Sequence, residues 1–225
     1  MKQMLLLVLA AALLLSLCAC GNETPATEPS QPSNTTVPVT TAPKEKDPQL
    51  GEYADGVYTN AFLDIRCQVD DRWQVYSDAQ LAQLNGLVLD SMTDEDLIAQ
   101  LKEANVAHLF YASADNGHQS VNVVLENAGV INGILLDEKA YAELSVEQLP
   151  TVLRSVGLVN VTAEATTVKF AGGKHAAVEV HGLHSGVDFY EKIVCVKVGS
   201  YFGVITVASY HEDLTEDLLA MFTDT

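Results

Sequence analysis

Residues 61–75 show the first regular pattern of apolar and polar positions in the chain. From Leu63 to Val69 alternate residues are apolar and would lie on one face of a strand, and the residues between them are polar. Asp70 and Asp71 are typical of a turn, and Trp73 with Val75 continues the apolar face. The pattern therefore predicts a β-hairpin. The apolar strand positions are Leu63, Ile65, Cys67 and Val69.

Three helices are predicted in the middle of the chain. Ser77 and Gln80 have the spacing of a capping box ahead of apolar residues at helical intervals. A second helix is expected to begin after Thr93, where acidic residues complement the positive end of the helix dipole. A third is predicted from Asp137 to about Val156, with Gly157 as its terminator.

The remaining segments predict strands and one short closing helix. Two strands, 108–113 and 121–126, flank the polar turn at 115–117. Four longer strands follow at 159–170, 175–184, 189–198 and 202–210, separated by turns rich in glycine and serine, and a helix is expected over 213–222. Residues 193–196 are apolar on both faces, which indicates a central strand covered on both sides. The sequence thus predicts an α+β domain, specifically an α/β/α sandwich around a mainly antiparallel sheet.

The first 21 residues have a different organisation. Lys2 precedes an apolar run over 5–17, which is too short to span a bilayer. Leu17, Ala19 and Cys20 fit a lipobox, and Cys18 fits less well because bulky Leu17 would precede it. The segment resembles the type II signal peptides of bacterial lipoproteins. That resemblance implies removal of residues 1–19 and attachment of a diacylglycerol, with palmitate-type acyl chains, to Cys20.

The segment after Cys20 is predicted to be a tether. Six of the seven prolines lie between positions 25 and 48, among threonines and with few large apolar residues. Such a composition cannot bury enough surface to offset the entropy of ordering. We therefore expect a disordered tether over 20–50 and a single folded domain over 51–225.

The folded part also resembles two groups of proteins. Asp70-Asp71-Arg72-Trp73, the following helices and the stretch 121–127 are similar to uncharacterised lipoproteins of Gram-positive anaerobes. The order of elements resembles the PsbP-like fold of photosystem accessory proteins and a Ran-binding nuclear-import factor. The resemblance implies binding and scaffolding rather than catalysis, and it transfers no site residues.

Charge narrows the range of partners. The chain has 12 Lys and Arg against 30 Asp and Glu, a net charge of −18. An acidic surface of this kind disfavours nucleic acid as a partner. No cofactor is predicted, because no phosphate-loop, zinc-helix or nucleophile-elbow motif occurs.

The remaining candidate chemistry is sparse. Glu179 and His181 are the closest metal-like pair, but a metal site needs three or four ligands, and a solvated polar strand face explains them better. Cys67 and Cys195 are the two cysteines of the folded part. A disulfide between them is possible outside the cytoplasm, but free buried thiols are expected from the apolar surroundings.

These patterns predict a protein on the extracytoplasmic face of the cell membrane, anchored in the lipid bilayer through Cys20. The expected function is non-catalytic binding or accessory activity, with a membrane or cell-wall protein as a candidate partner. The alternative is an extracytoplasmic enzyme of hydrolase type, whose site is assembled from scattered residues.

Overall fold

The computed structural model describes residues 48–86, 105–129, 133 and 135–225. The predicted signal segment, Cys20, most of the predicted tether and the helix predicted after Thr93 lie outside these ranges. None of the helices within them is long and apolar enough to cross a membrane.

The described chain contains strands that form two antiparallel sheets, together with three helices, two of them short. The strands are β1 (Glu52–Ala54), β2 (Val57–Asn60), β3 (Ile65–Gln68), β4 (Gln74–Val75), β5 (Val106–Ala114), β6 (Gln119–Asn127), β7 (Leu158–Phe170), β8 (Gly173–His184), β9 (Val187–Val198), β10 (Tyr201–Tyr210) and β11 (Phe222–Thr223). The helices are α1 (Asp78–Leu84), α2 (Glu138–Ser155) and α3 (Thr215–Leu219). The predicted α+β class is confirmed at this level.

The large sheet has seven strands in the order β4-β5-β6-β10-β9-β8-β7, and the small sheet has four in the order β1-β2-β3-β11. Every recorded strand pair is antiparallel. The four long strands predicted from 159 onward are confirmed as β7 to β10, and β9 lies inside the large sheet as expected.

The predicted hairpin over 61–75 is wrong. β3 pairs with β2 and β11 in the small sheet, whereas β4 pairs with β5 in the large sheet. Residues 69–73 therefore carry the chain from one sheet to the other. The buried face of β3 was predicted correctly, because the two-residue period identifies which residues are buried but does not identify the strand's partner.

The layers also differ from the predicted α/β/α sandwich. In the described residues, α2 covers one face of the large sheet, which we call the α2 face. The small sheet and α3 cover the opposite face. Apolar residues on both faces of β9 required two covering layers, but an apolar pattern does not specify whether a helix or a sheet provides the cover.

The helix termini follow their sequence signals closely. Ser77 and Gln80 form the predicted capping box of α1. Asp137 caps α2 by accepting a hydrogen bond from the Ala140 amide, and Gly157 follows the helix with a φ of 104°. The closing helix is shorter than predicted, because the chain turns after Leu219 to place Phe222 opposite Cys67 in the small sheet.

Candidate functional site: an aromatic cleft

A cavity of about 270 Å³ opens on the α2 face, at the end of the large sheet where β5 turns into β6. Five aromatic rings line it, and we call it the aromatic cleft. The rings belong to Tyr76, Tyr111, His118, Phe189 and Tyr210. Its volume lies near the lower limit for small-molecule sites, which suits a small ligand.

The rings hold one another in place. Tyr76 and Tyr111 meet edge to face with their centroids 4.5 Å apart. On the other side, Tyr210 lies 5.1 Å from Phe189 and 6.0 Å from His118. Contacts of this geometry are favourable for aromatic quadrupoles, so the rings form a preorganised wall.

The strand register explains why residues distant in sequence meet here. Ser113 lies opposite Ser120, and Ser120 lies opposite Ala208; all three line the cleft. These residues form one row of cross-strand neighbours on β5, β6 and β10. The row continues on β9 with Glu191, which lies opposite Ala208. Glu191 therefore lies one strand beyond the lining, on the same face of the sheet.

The carboxyl group of Glu191 has no partner in the part of the chain that the structure describes. The residue is only 1% exposed, and neither carboxyl oxygen has a hydrogen-bond partner among the described residues. Burial raises the pKa of the Glu191 carboxyl to about 8, so the group is mostly protonated at neutral pH. Burying an unpaired polar group is unfavourable, which makes this position unusual in a folded domain.

Two further orphaned groups lie on the same face. Asn122, whose Oδ1 has no partner in the described chain, is opposite the cleft residue Tyr111. Glu126 receives a 2.7 Å hydrogen bond from the Tyr141 hydroxyl, but its other oxygen is unpartnered. Burial raises the pKa of Glu126 to about 7 despite that hydrogen bond. The α2 face thus combines an apolar core with several unsatisfied oxygens.

The charged groups at the mouth of the cleft are paired. Arg72 binds Asp70 at 2.8 Å, and both side chains are largely exposed. Hydrogen bonds from Arg72 hold the pKa of the Asp70 carboxyl below its usual value. His118 lies 3.7 Å from Asp115. The other polar lining groups are neutral amides and hydroxyls.

The predicted metal candidates lie on the opposite face of the large sheet. Glu179 forms a 3.0 Å ion pair with Lys192, which also contacts Glu216. His181 lies 2.9 Å from the Asp188 carboxylate, and its ring lies against Tyr190. The structure therefore gives Glu179 and His181 separate partners. Within the described ranges, no group of three or more His, Cys, Asp or Glu residues is arranged to hold a metal ion.

Cys67 and Cys195 are free, buried thiols on opposite sides of the large sheet. Cys67 belongs to the core beneath the small sheet, and Cys195 belongs to the core beneath α2. Because the large sheet separates them, they cannot form a bond in this fold. Burial raises the pKa of both thiols, that of Cys67 to about 12, which makes them poor nucleophiles.

Sequence reasoning missed the cleft because its residues come from four separate stretches of the chain. One signal was present. Glu191 shares the two-residue period of Phe189, Ile193 and Cys195, which are buried on the α2 face. A carboxyl group at a core position of a strand is rare, and its occurrence indicates either a buried partner or a site.

No protein-family model matches the chain, and no curated protein matches it. Among solved structures, a protein from Bacteroides thetaiotaomicron VPI-5482 shares 6% identity over 76% of this chain and 48% of that chain, with a TM-score of 0.42. This chain thus spans about half the length of the Bacteroides protein. LpqN, involved in cell envelope biogenesis of Mycobacterium tuberculosis, shares 13% identity over 72% of this chain and 83% of its own, with a TM-score of 0.35. Because both TM-scores lie below 0.5, neither similarity assigns this chain to a family.

Proposed function

We propose that the protein is a lipid-anchored, extracytoplasmic binding module that holds a small ligand in the aromatic cleft. The observation that carries this proposal is the cleft itself, a preformed cavity with aromatic walls and neutral hydrogen-bonding groups. Such cavities are typical of ligand sites, because rings provide contact area and a few polar groups fix the orientation of the ligand. The PsbP-like resemblance, with its expectation of binding and scaffolding, forms part of the same proposal.

The pairings within the cleft favour binding over hydrolysis. Ser113 hydrogen bonds with the phenol of Tyr111, and His118 lies beside Asp115. A hydroxyl nucleophile would instead need a base within hydrogen-bond reach. The alternative, a hydrolase-type enzyme, would use Glu191 as its proton-transfer group, since its raised pKa suits general acid catalysis.

The lipid and the tether determine where the cleft operates. Acylated Cys20 would hold the domain at the outer face of the cell membrane, and about thirty residues of tether would allow it to reach at least roughly 30 Å from the bilayer. Confinement raises its effective concentration toward a membrane or cell-wall protein partner. We propose that such a partner delivers or receives the ligand.

The proposal can be tested in whole cells with a photo-crosslinking amino acid in place of Tyr76. The matched control carries the same amino acid in place of Val159, which is 53% exposed on β7, a strand that contributes no residue to the cleft. After irradiation, the mass of the purified chain shows whether a ligand has been attached. We expect a discrete added mass at position 76 that is missing at position 159.

Two other outcomes would contradict parts of this proposal. Equal labelling at both positions, or none at either, would exclude the cleft as the binding site. If the captured molecule is instead recovered hydrolysed after incubation with purified protein, and intact after incubation with a Glu191→Gln variant, the enzymatic alternative is correct.

A further inference from the structure

We propose that the ligand of the aromatic cleft is a small organic ammonium ion, and that Glu191 provides its balancing negative charge. This inference rests on the proposed function of the cleft and specifies the chemistry of its ligand. It starts from an unpartnered, fully buried carboxyl group placed directly beside a cavity.

The strand register places Glu191 next to the cleft. Ala208 is its cross-strand neighbour, and Phe189 precedes it by two residues on the same face of β9. Both Ala208 and Phe189 line the cleft. No described side chain hydrogen bonds with the Glu191 carboxyl, so its charge is uncompensated by the described residues.

An electrostatic coupling already links Glu191 to the wall of the cleft. Tyr210 lines the cavity, and its pKa is raised to about 12, first by burial and then by the charge of Glu191. A negative charge that disfavours the Tyr210 phenolate would favour a cation at the same place. The interaction is strong because the surroundings have a low dielectric constant.

The aromatic walls suit the same class of ligand. Tyr76, Tyr111 and Tyr210 approach the cavity from two sides, and a cation over the face of a tyrosine ring is attracted by the ring quadrupole. Quaternary ammonium groups are commonly recognised by such aromatic cages. A neutral polar ligand could hydrogen bond with the carboxyl group, but it would leave the charge of the carboxylate unbalanced.

The other charges around the cleft do not oppose a cation. The charge of Arg72 is compensated by Asp70, and Asp115 adds a carboxylate near His118. On the strand beyond Glu191, His184 contacts the Tyr210 hydroxyl at 3.3 Å. The net charge of −18 would also attract cations toward the protein.

Binding would change the protonation of Glu191. In the free protein the carboxyl group is protonated, with a pKa of about 8. When the ammonium ion enters, the O–H bond of Glu191 breaks, the proton passes to the solvent, and the carboxylate remains with the cation. Affinity should therefore rise with pH until Glu191 is ionised in the free protein.

The test compares choline with its neutral carbon isostere, 3,3-dimethylbutan-1-ol, by calorimetric titration of the full lipidated chain in detergent. At pH 8.5 we expect choline to bind at least about tenfold more tightly than the isostere. Between pH 6.5 and 8.5 the affinity for choline should rise roughly 20-fold, since only the ionised fraction is competent to bind. The affinity for the isostere should not change over this range.

Glu191→Gln removes the charge and nearly preserves the shape of the side chain. In this variant we expect choline to lose its advantage over the isostere and its pH dependence. The matched control is Glu164→Gln, at an exposed position on β7, which should behave like the wild-type protein. The wild-type comparison of the two ligands stands even if the variant is poorly folded.

Failure of this inference differs from failure of the proposed function. If both ligands bind equally in the wild-type chain, or if neither binds while position 76 captures another molecule, the ammonium inference is wrong and the binding function of the cleft stands. If neither binds and position 76 captures nothing, both are wrong.

Discussion

Two glutamates on the α2 side of the large sheet have opposite surroundings. Glu138, at the start of α2, accepts hydrogen bonds from the His175 ring and from the backbone amides of Lys197 and Ala176. Burial alone would raise the pKa of the Glu138 carboxyl, but these hydrogen bonds outweigh it and hold the pKa below its usual value. Glu191 has no such donors among the described residues. Glu138 fastens the helix to the sheet, whereas Glu191 destabilises the fold when it is ionised.

This contrast predicts how stability depends on pH. The unfolded chain releases the proton of Glu191 near pH 4.5, and the folded chain releases it near pH 8. Between these values the folded state binds more protons, so the free energy of unfolding falls as pH rises. Glu191→Gln removes this term. We expect it to be more stable than wild type by about 4 kcal/mol at pH 8, and by little or nothing at pH 4.5.

Urea unfolding at constant ionic strength, at pH 4.5, 6 and 8, measures this difference. Glu164→Gln is again the control, since it removes a carboxyl group at an exposed position on β7. A constant difference between Glu191→Gln and wild type would show that the pKa of Glu191 is the same in the folded and unfolded chains, which would contradict a raised pKa in the fold. Greater stability together with lost choline binding would indicate a site whose function opposes stability.

At the scale of elements, the contact between the two sheets depends on Gly203. This residue lies in β10 on the face toward the small sheet, where a Cβ atom would come within 2.7 Å of the Leu63 side chain. Leu63 follows β2 and precedes β3, and it is buried in the core between the sheets. The missing side chain at 203 therefore lets the small sheet lie against the large one.

Gly203→Ala should destabilise the protein by about 1–3 kcal/mol, because the added methyl group forces Leu63 or the small sheet to move. Leu63→Ala removes the opposing side chain and should itself destabilise by about 2–5 kcal/mol. In the double variant the methyl group at position 203 has space. The decrease in the free energy of unfolding should therefore be smaller than the sum of the decreases in the two single variants. Urea unfolding of all four proteins measures this coupling, and strict additivity would show that the two residues do not compete for the same space.

The elements also show which features could be predicted from the sequence. β7 to β10 were predicted because each alternates or is apolar over its length and because turns rich in glycine or serine separate them. The predicted hairpin over 61–75 was wrong, because local alternation contains no information about a change of sheet after Val69. The cleft was missed for the same reason. Only the register of β5, β6, β10 and β9 brings Ser113 into one row with Glu191.

At the scale of the whole molecule, the two apolar cores lie on opposite faces of one sheet, and the proposed site lies at the edge of one of them. The aromatic cleft is built on long strands of the large sheet, which provide a rigid support for Tyr111 and Tyr210. The small sheet and α3 stabilise the opposite face and contribute no residue to the cleft. A ligand could therefore be exchanged without disturbing the core around Cys67.

At the scale of the whole molecule we also propose that attachment to the membrane depends on Cys20. A thioether-linked diacylglycerol adds two acyl chains, and each buried methylene contributes about 0.8 kcal/mol, which is enough for stable anchoring. We therefore expect Cys20→Ala to abolish the incorporation of an alkyne-tagged palmitate into the protein in growing cells. Cys18→Ala is the matched control, because it removes the neighbouring thiol but keeps Leu17, Ala19 and Cys20.

Label incorporation is the informative measurement, because an uncleaved signal segment could keep the Cys20→Ala protein at the membrane without any lipid. If Cys18→Ala loses the label and Cys20→Ala keeps it in full, the lipid is attached to Cys18. Labelling of both variants would show that the acyl chains are attached elsewhere. Labelling of Cys18→Ala alone would place the lipid on Cys20. The cleft would then lie on the outer side of the membrane. An ammonium ligand would have to be present there for the proposed site to operate.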